Sequence, residues 1–182
     1  MRGNDTGWGW RFALKEVYEA HLFTRPGPMR LTRHTDYALR LLMLLAAEPD
    51  ATHTIEETAR RYGVSRNHLM KVTQTLIKAG FVAGARGRGG GLALPRPAAD
   101  INVGAVVRAT EENLDLVECF DSSGNTCRLT PACGLRAPLR EALSAFLGVL
   151  DQYSLADLVG NPASARRMRR LLGAAPRMEA RP

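Results

Sequence analysis

Cysteine is scarce in this chain, with three residues in 182. They form no C-x-x-C pair, so the usual signature of a zinc knuckle is missing. No run of about eighteen apolar residues occurs, which argues against a transmembrane helix. The opening stretch, MRGNDTGWGWRFALKEVYEAHLF, scatters charges through its apolar part and makes a poor secretory signal. Few thiols and no signal point to a reducing cytoplasm. Catalytic constellations are lacking too. There is no Ser/His/Asp or Cys/His set outside the cysteine segment, and there are no paired carboxylates in an apolar setting. An enzyme is not expected.

What is present is charge, unevenly spread. The formal net charge is +7, and hydrophobic residues make up 45 %, enough for a real core. Between His53 and Asp100 there are eight Lys or Arg against three acids. Between Ile101 and Gly160 there are four against eight. A basic block followed by an acidic one is the footprint of nucleic-acid binding confined to one region.

Local signals divide the chain. Residues 1–28 read as an appendage, either a real extension or the product of a start codon placed upstream of Met29. A short amphipathic helix over about Trp10–Phe23 would end at RPGP. TDYALRLLMLLAA, from Thr35 to Ala47, reads as a buried helix with Thr32 or Thr35 as its N-cap. Thr54 and Glu57 make a T-x-x-E capping box that starts a short helix, and Gly63 ends it. Ser65 caps the next helix, SRNHLMKVTQTLIKAG. Leu69, Val72, Leu76 and Ile77 recur along it at helical spacing, and Gly80 stops it. Phe81–Ala85 and Leu92–Leu94 are short strands around a Gly/Arg tip.

That order is a winged helix-turn-helix, a mainly α fold with a small β-hairpin wing, over residues 29–100. The first two helices bury the apolar face of the third and leave its polar face for a major groove. Ser65, Arg66, Asn67, His68 and Lys71 are the DNA-contact candidates on the recognition helix, since Arg and Asn can read guanine and adenine edges. Arg86 and Arg88 sit on the wing tip, where glycines permit close approach to the DNA backbone or minor groove. RGRGGG is not a phosphate-binding loop of the nucleotide type, because a strand and a stop follow it rather than a helix.

Residues 101–160 hold a helix with an extended continuation, a polar loop and a long amphipathic helix. In the last of these Leu139, Leu143, Phe146 and Leu150 form a heptad-like seam. A helix-turn-helix protein needs two recognition helices about 34 Å apart, so this seam is read as a dimerisation surface. Residues 161–182 are basic and rich in small residues, and a largely disordered tail with one helical turn or two is expected. The loop CFDSSGNTCRLTPAC contains Cys119, Cys127 and Cys133, with seven and five residues between them. Three readings stay open on the residues alone: an iron–sulfur cluster, which suits the wide spacing, a zinc ion, or a set of redox-active thiols.

MRLTRHTDYALRLLMLLA, SRNHLMKVTQTLIKAGFV, RGRGGGLALPRPAADI and CFDSSGNTCRLTPACGLRAPLREALSAFLGVLDQYSLADLV together resemble the iron–sulfur winged-helix repressors, most closely the nitric-oxide sensors among them. The resemblance runs from Met29 to about Val159. It implies a cytoplasmic homodimer that binds double-stranded operator DNA, carries an iron–sulfur cluster ([4Fe-4S] in preference to [2Fe-2S]) and releases the operator when nitric oxide reaches the cluster. It implies Cys119, Cys127 and Cys133 as thiolate ligands and Asp36 of the partner subunit as the fourth, with His34 in reserve. Arg40, one turn past Asp36, is placed to pair with it. Another branch of the family uses a histidine just after the last cysteine, and CGLRAPLREA has none. The alternative is a regulator responding to iron–sulfur or thiol redox state without specificity for nitric oxide.

Overall fold

The computed structural model describes residues 30–51, 53–84, 91–121 and 123–173. The expected Trp10–Phe23 helix and the wing-tip residues Arg86 and Arg88 lie outside them. From Leu31 onward the chain forms one compact unit.

Helix α1 spans Arg33–Ala47, and the Thr32 side chain caps it by accepting from Thr35 N–H. Its buried face holds Leu41, Leu42, Leu44 and Leu45. Each fully buried leucine stabilises the fold by roughly 2 kcal/mol. Helix α2 spans Ile55–Tyr62, capped at its start by Thr54 Oγ1, which accepts from Glu57 N–H at 3.1 Å. It stops at Gly63, whose φ of +63° lies in the left-handed region that favours glycine. Ser65 then caps α3, Arg66–Lys78. The tight turn follows from one left-handed residue and one cap only two residues apart.

Two-residue strands β1 (Ala83–Gly84) and β2 (Leu92–Ala93) pair antiparallel, Ala83 opposite Ala93 and Gly84 opposite Leu92. Among the described residues the first strand starts two residues later than expected, and Phe81 and Val82 are buried in the core; Ala85 lies outside the described residues. His53 adds an antiparallel bridge to Leu92, whose N–H donates to the His53 carbonyl at 2.7 Å.

The core continues past residue 100. Helix α4, Val103–Thr110, buries Val103, Val106 and Val107. Ile101 and Val106 join Leu41, Leu69 and Val72 in one cluster. A Cβ on Gly104 would collide with the Asp151 carboxylate and crowd its backbone N, so a larger residue would displace that side chain. Helix α5, Arg136–Leu150, follows the cysteine loop. Helix α6, Leu155–Val159, carries a complete Ser154/Asp157 capping box and buries Leu155.

The tail departs from expectation. Pro162–Gly173 forms a three-turn helix, α7, longer than the one or two turns expected there. Asn161 Oδ1 accepts from Ala163 and Ser164 N–H at 3.0 and 3.1 Å, capping it. Ala165, Met168 and Leu172 are half-buried at helical spacing, and α7 packs on α1 and α2. An arginine-rich composition hid this narrow apolar stripe.

A shielded ion pair ties the first elements together. Glu48, the C-cap of α1, accepts from the Arg61 guanidinium at 2.9 and 2.6 Å, and the two side chains are 12 % and 13 % exposed. His53, 2 % exposed, donates through Nε2 to the Glu48 carbonyl at 3.0 Å. The hydrogen bonds from Arg61 hold the Glu48 carboxyl below its ordinary pKa, against the opposing effect of burial, with help from the charge of Arg61 itself, His53 and Arg169. Stability from a lowered carboxyl pKa is complete above the unfolded-state value, roughly 4.3. It is lost as pH falls through the folded-state value. Glu48→Gln should therefore cost about 2 kcal/mol at neutral pH. The gap to the parent should narrow in acid. Urea melts at neutral and acidic pH check this, and a gap independent of pH would refute it.

Candidate functional site

The capped turn presents α3 with two distinct faces. Leu69, Val72, Thr73 and Leu76 are buried against the body. Ser65, Arg66, Asn67 and Lys71 are exposed. His68 differs from its neighbours: it is half-buried, with its ring 4.9 Å from that of Tyr37 and 6.1 Å from that of His34. The imidazole is turned towards α1, so it braces the helix from within its N-terminal half.

The first turn of α1 is therefore coupled to α3. His34 Nε2 lies 3.1 Å from Thr75 Oγ1. Burial, and then the neighbouring His68, push the His34 pKa below its ordinary value, against opposing effects of Glu112 and Glu111. Thr32 donates to Glu111 through its N–H at 2.8 Å and its hydroxyl at 3.2 Å, tying the start of α1 to the end of α4. Asp36 pairs with Arg40 at 2.6 Å, with both side chains almost half exposed. Such a pair adds at most about 1 kcal/mol and leaves the carboxylate accessible. The Tyr62 hydroxyl donates to the Arg40 carbonyl at 2.8 Å, and burial pushes its pKa up to about 12.

The three thiols are free. Cys119 lies on a 3-10 turn, Glu118–Phe120, and is buried. Cys127 and Cys133 are half-buried, on either side of a second 3-10 turn, Thr130–Ala132. Among the described residues no three His, Cys, Asp or Glu side chains are gathered as a metal-binding group, so the cysteines are near in sequence without being preassembled. The loop is hydrogen-bonded mainly to itself. Glu118 accepts from Thr126 N–H at 2.5 Å and from its hydroxyl at 2.6 Å. Asp121 accepts from Ser123 N–H and hydroxyl at 2.7 and 2.6 Å. Those hydroxyls, followed by the backbone donors, hold both carboxyls below their ordinary pKa. Asn125 Oδ1 accepts from Cys127 N–H at 3.1 Å, and Thr130 Oγ1 donates to the Cys127 carbonyl at 2.8 Å. The sulfur atoms take no part in these bonds. Arg140 stacks over Phe120 at 5.5 Å.

This donor set fits an iron–sulfur cluster. Three free thiols share one loop whose turns are bonded mainly to one another. Arg136, three residues past Cys133, has a shielded Nε with no hydrogen-bond partner. An orphan cationic donor of this kind suits an anionic group.

The seam residues lie on α5 as expected, yet no α5 residue is buried within the chain. Leu139, Leu143 and Leu150 are half-buried, and Phe146 and Val149 are 41 % and 53 % exposed. Sequence reasoning missed the Glu48–Arg61–His53 network and the bracing role of His68. Both depend on tertiary neighbours that carry no local pattern.

A capped tight turn, a helix with one polar face and a paired wing on a shared core define a winged helix-turn-helix DNA-binding regulator. Residues 31–161 match the model of the Rrf2 family, described as iron-dependent transcriptional regulators, and the chain belongs to that family. It is 52 % identical over 134 residues to the HTH-type transcriptional regulator NsrR of Bacillus subtilis, covering 73 % of this chain and 92 % of that one. Against NsrR of Geobacillus kaustophilus it is 51 % identical over 139 residues, covering 76 % and 95 %. Among solved structures, IscR of T. potens superposes with a TM-score of 0.59 at 24 % identity, covering 72 % of this chain and 87 % of that one. These relatives are transcription regulators, not enzymes, and so is this protein. Among the described residues no helix is long and apolar enough to cross a membrane.

Proposed function

We propose that this protein is a homodimeric transcriptional repressor that responds to nitric oxide through an iron–sulfur cluster, [4Fe-4S] rather than [2Fe-2S]. The observation that carries the reading is the cysteine loop: three free thiols on turns bonded mainly to one another, within a chain about half identical to NsrR proteins. Cys119, Cys127 and Cys133 would hold the cluster, with Asp36 of the partner subunit as fourth ligand. When bound, the cluster supplies irons that nitric oxide can attack. Asp36 stands in the first turn of α1, and His34 and Tyr37 on either side of it contact Thr75 and His68 of α3. A tie at Asp36 would thereby bias the pose of the recognition helix, so that cluster and operator favour the same dimer geometry. Arg66, Asn67 and Lys71, with Ser65 at the cap, would meet the major groove, and Arg86 and Arg88 the backbone beside it. A carboxylate is a harder donor than thiolate and binds iron of a cluster less firmly, which suits a ligand meant to let go.

Anaerobic purification should give a coloured protein whose visible absorbance collapses on adding nitric oxide, together with loss of DNA binding. A colourless protein with stoichiometric zinc and unchanged DNA binding would overturn the proposal. A second reading, a thiol redox regulator, draws support from the cysteines not being gathered. It requires iron-free protein whose DNA binding changes on oxidation.

Asp36→Ala tests the fourth ligand. The fold should survive, since the exposed pair with Arg40 is worth at most about 1 kcal/mol. The cluster absorbance should decay in air about tenfold or more faster than in the parent, because a lost ligand worth about 1.4 kcal/mol is a tenfold change. Unchanged decay and nitric-oxide response would move the role to His34, although its Nε2 already faces Thr75.

A further inference from the structure

Helix α7 lies beyond the segment matched by the family model, which ends at residue 161. It carries four arginines, Arg166, Arg167, Arg169 and Arg170, and no acid. They do not all face the same way. Arg169 donates to the Ala47 carbonyl at 2.6 Å, and Arg61 of α2 donates to the Leu172 carbonyl at 3.3 Å. The C-terminal ends of α1 and α7 thus each receive a guanidinium, from α7 and α2 respectively, which satisfies last-turn carbonyls and opposes their dipoles. With Ala165, Met168 and Leu172 half-buried on the same side, α7 is docked rather than loosely attached. The outer side holds Arg166, Arg167 and Arg170, all exposed, with no salt-bridge partner among the described residues.

A docked helix with three outward arginines fits a rigid polyanion. In helix-turn-helix docking the element before the recognition helix crosses the DNA backbone. That element is α2 here, and α7 packs on it. We infer that α7 is an accessory DNA-backbone clamp: Arg166, Arg167 and Arg170 contact phosphates flanking the segment read by α3. The inference rests on the DNA-binding reading of α3. Contacts of this kind are independent of base sequence, so they add affinity and salt sensitivity without changing the operator.

The test is fluorescence anisotropy of the full chain on a labelled mixed-sequence duplex, read from about 50 to about 200 mM salt. In Arg166→Gln/Arg167→Gln/Arg170→Gln the slope of log affinity against log salt should become shallower by about 0.9 per arginine, roughly 2–3 per protomer. The melting temperature should hold, because Gln is as good a helix former as Arg. The Lys triple variant should keep the parental slope, since a lysine also neutralises a phosphate. An unchanged slope in the Gln triple, with the parent binding normally, overturns the clamp and leaves the basic face to an acidic protein partner. A Lys triple that loses the slope as the Gln triple does also overturns it. Failure of the parent to bind duplex DNA overturns the underlying reading of α3 as well.

Discussion

Cys127→Ser will melt like the iron-free parent protein and purify anaerobically without iron and sulfide. The two halves of that expectation have separate physical grounds. Cys127 is half-buried, and the loop bonds at this position use its backbone N–H and carbonyl, to Asn125 and Thr130. The sulfur holds nothing in place, so serine leaves the turn intact. As a ligand, serine fails. Its hydroxyl stays protonated at neutral pH, whereas a thiol becomes a thiolate on iron, and an alkoxide is a hard donor where the cluster needs soft ones. Occupancy should fall from near one cluster per chain to below about a tenth, in line with the 10–100-fold losses that follow even from outer-shell changes. Cys133→Ser should behave the same way. Cys119→Ser is the less clean variant, because Cys119 is buried at 9 % exposure. A hydroxyl placed there without a partner costs about 1–3 kcal/mol, so loss of iron would be mixed with loss of packing. Iron and sulfide assays beside thermal melts separate the two effects. Full iron loading in Cys127→Ser would remove Cys127 from the ligand set.

Why the helix-turn-helix was legible and the cluster pocket was not follows from where each is encoded. The turns are set by single residues acting on adjacent backbone: Thr32, Thr54 and Ser65 each accept from an N–H three residues on, and Gly63 alone supplies the left-handed turn. Such signals need no tertiary partner. Helix α6 escaped notice although its Ser154/Asp157 box is just as local, because five residues are too few to show a period. Helix α7 was obscured by its composition, and its docking depends on the distant carbonyl of Ala47. The contact of His68 with the Tyr37 ring likewise leaves no local pattern. The cysteine loop is the extreme case. Its local turns are all encoded nearby, by Asn125, Thr130, Glu118 and Asp121, but none of them brings the sulfurs together. A bound group would have to gather them, and the residues alone leave an iron–sulfur cluster, zinc and redox thiols open; the resemblance selects the first.

The second large effect belongs to α5. Phe146→Asp should turn a dimer into a monomer and abolish tight operator binding. A 15-residue helix with no buried residue is marginal on its own in water. Within the chain α5 is held chiefly at its C-terminal end, where Asn102 Nδ2 donates to the Asp151 carbonyl at 2.7 Å and Arg108 pairs with the Asp151 carboxylate. Its apolar side, with Phe146 41 % and Val149 53 % exposed, needs a further surface to cover it. A second copy fits that need, because a two-fold contact pairs like with like, so one seam covers the other. The same symmetry doubles the effect of a substitution. Two phenylalanines leave the interface, each worth about 2 kcal/mol, and two carboxylates take their place and must be desolvated or kept apart. A loss of at least about 4 kcal/mol raises the dimer dissociation constant about a thousandfold. DNA binding then falls further than the change on α5 itself would explain, since one recognition helix reads one half-site while the operator offers two about 34 Å apart. Sedimentation at micromolar concentration reads the first effect and anisotropy on DNA the second. A Phe146→Asp protein that still sediments as a dimer would show that the copies meet elsewhere and that the exposed seam serves another contact.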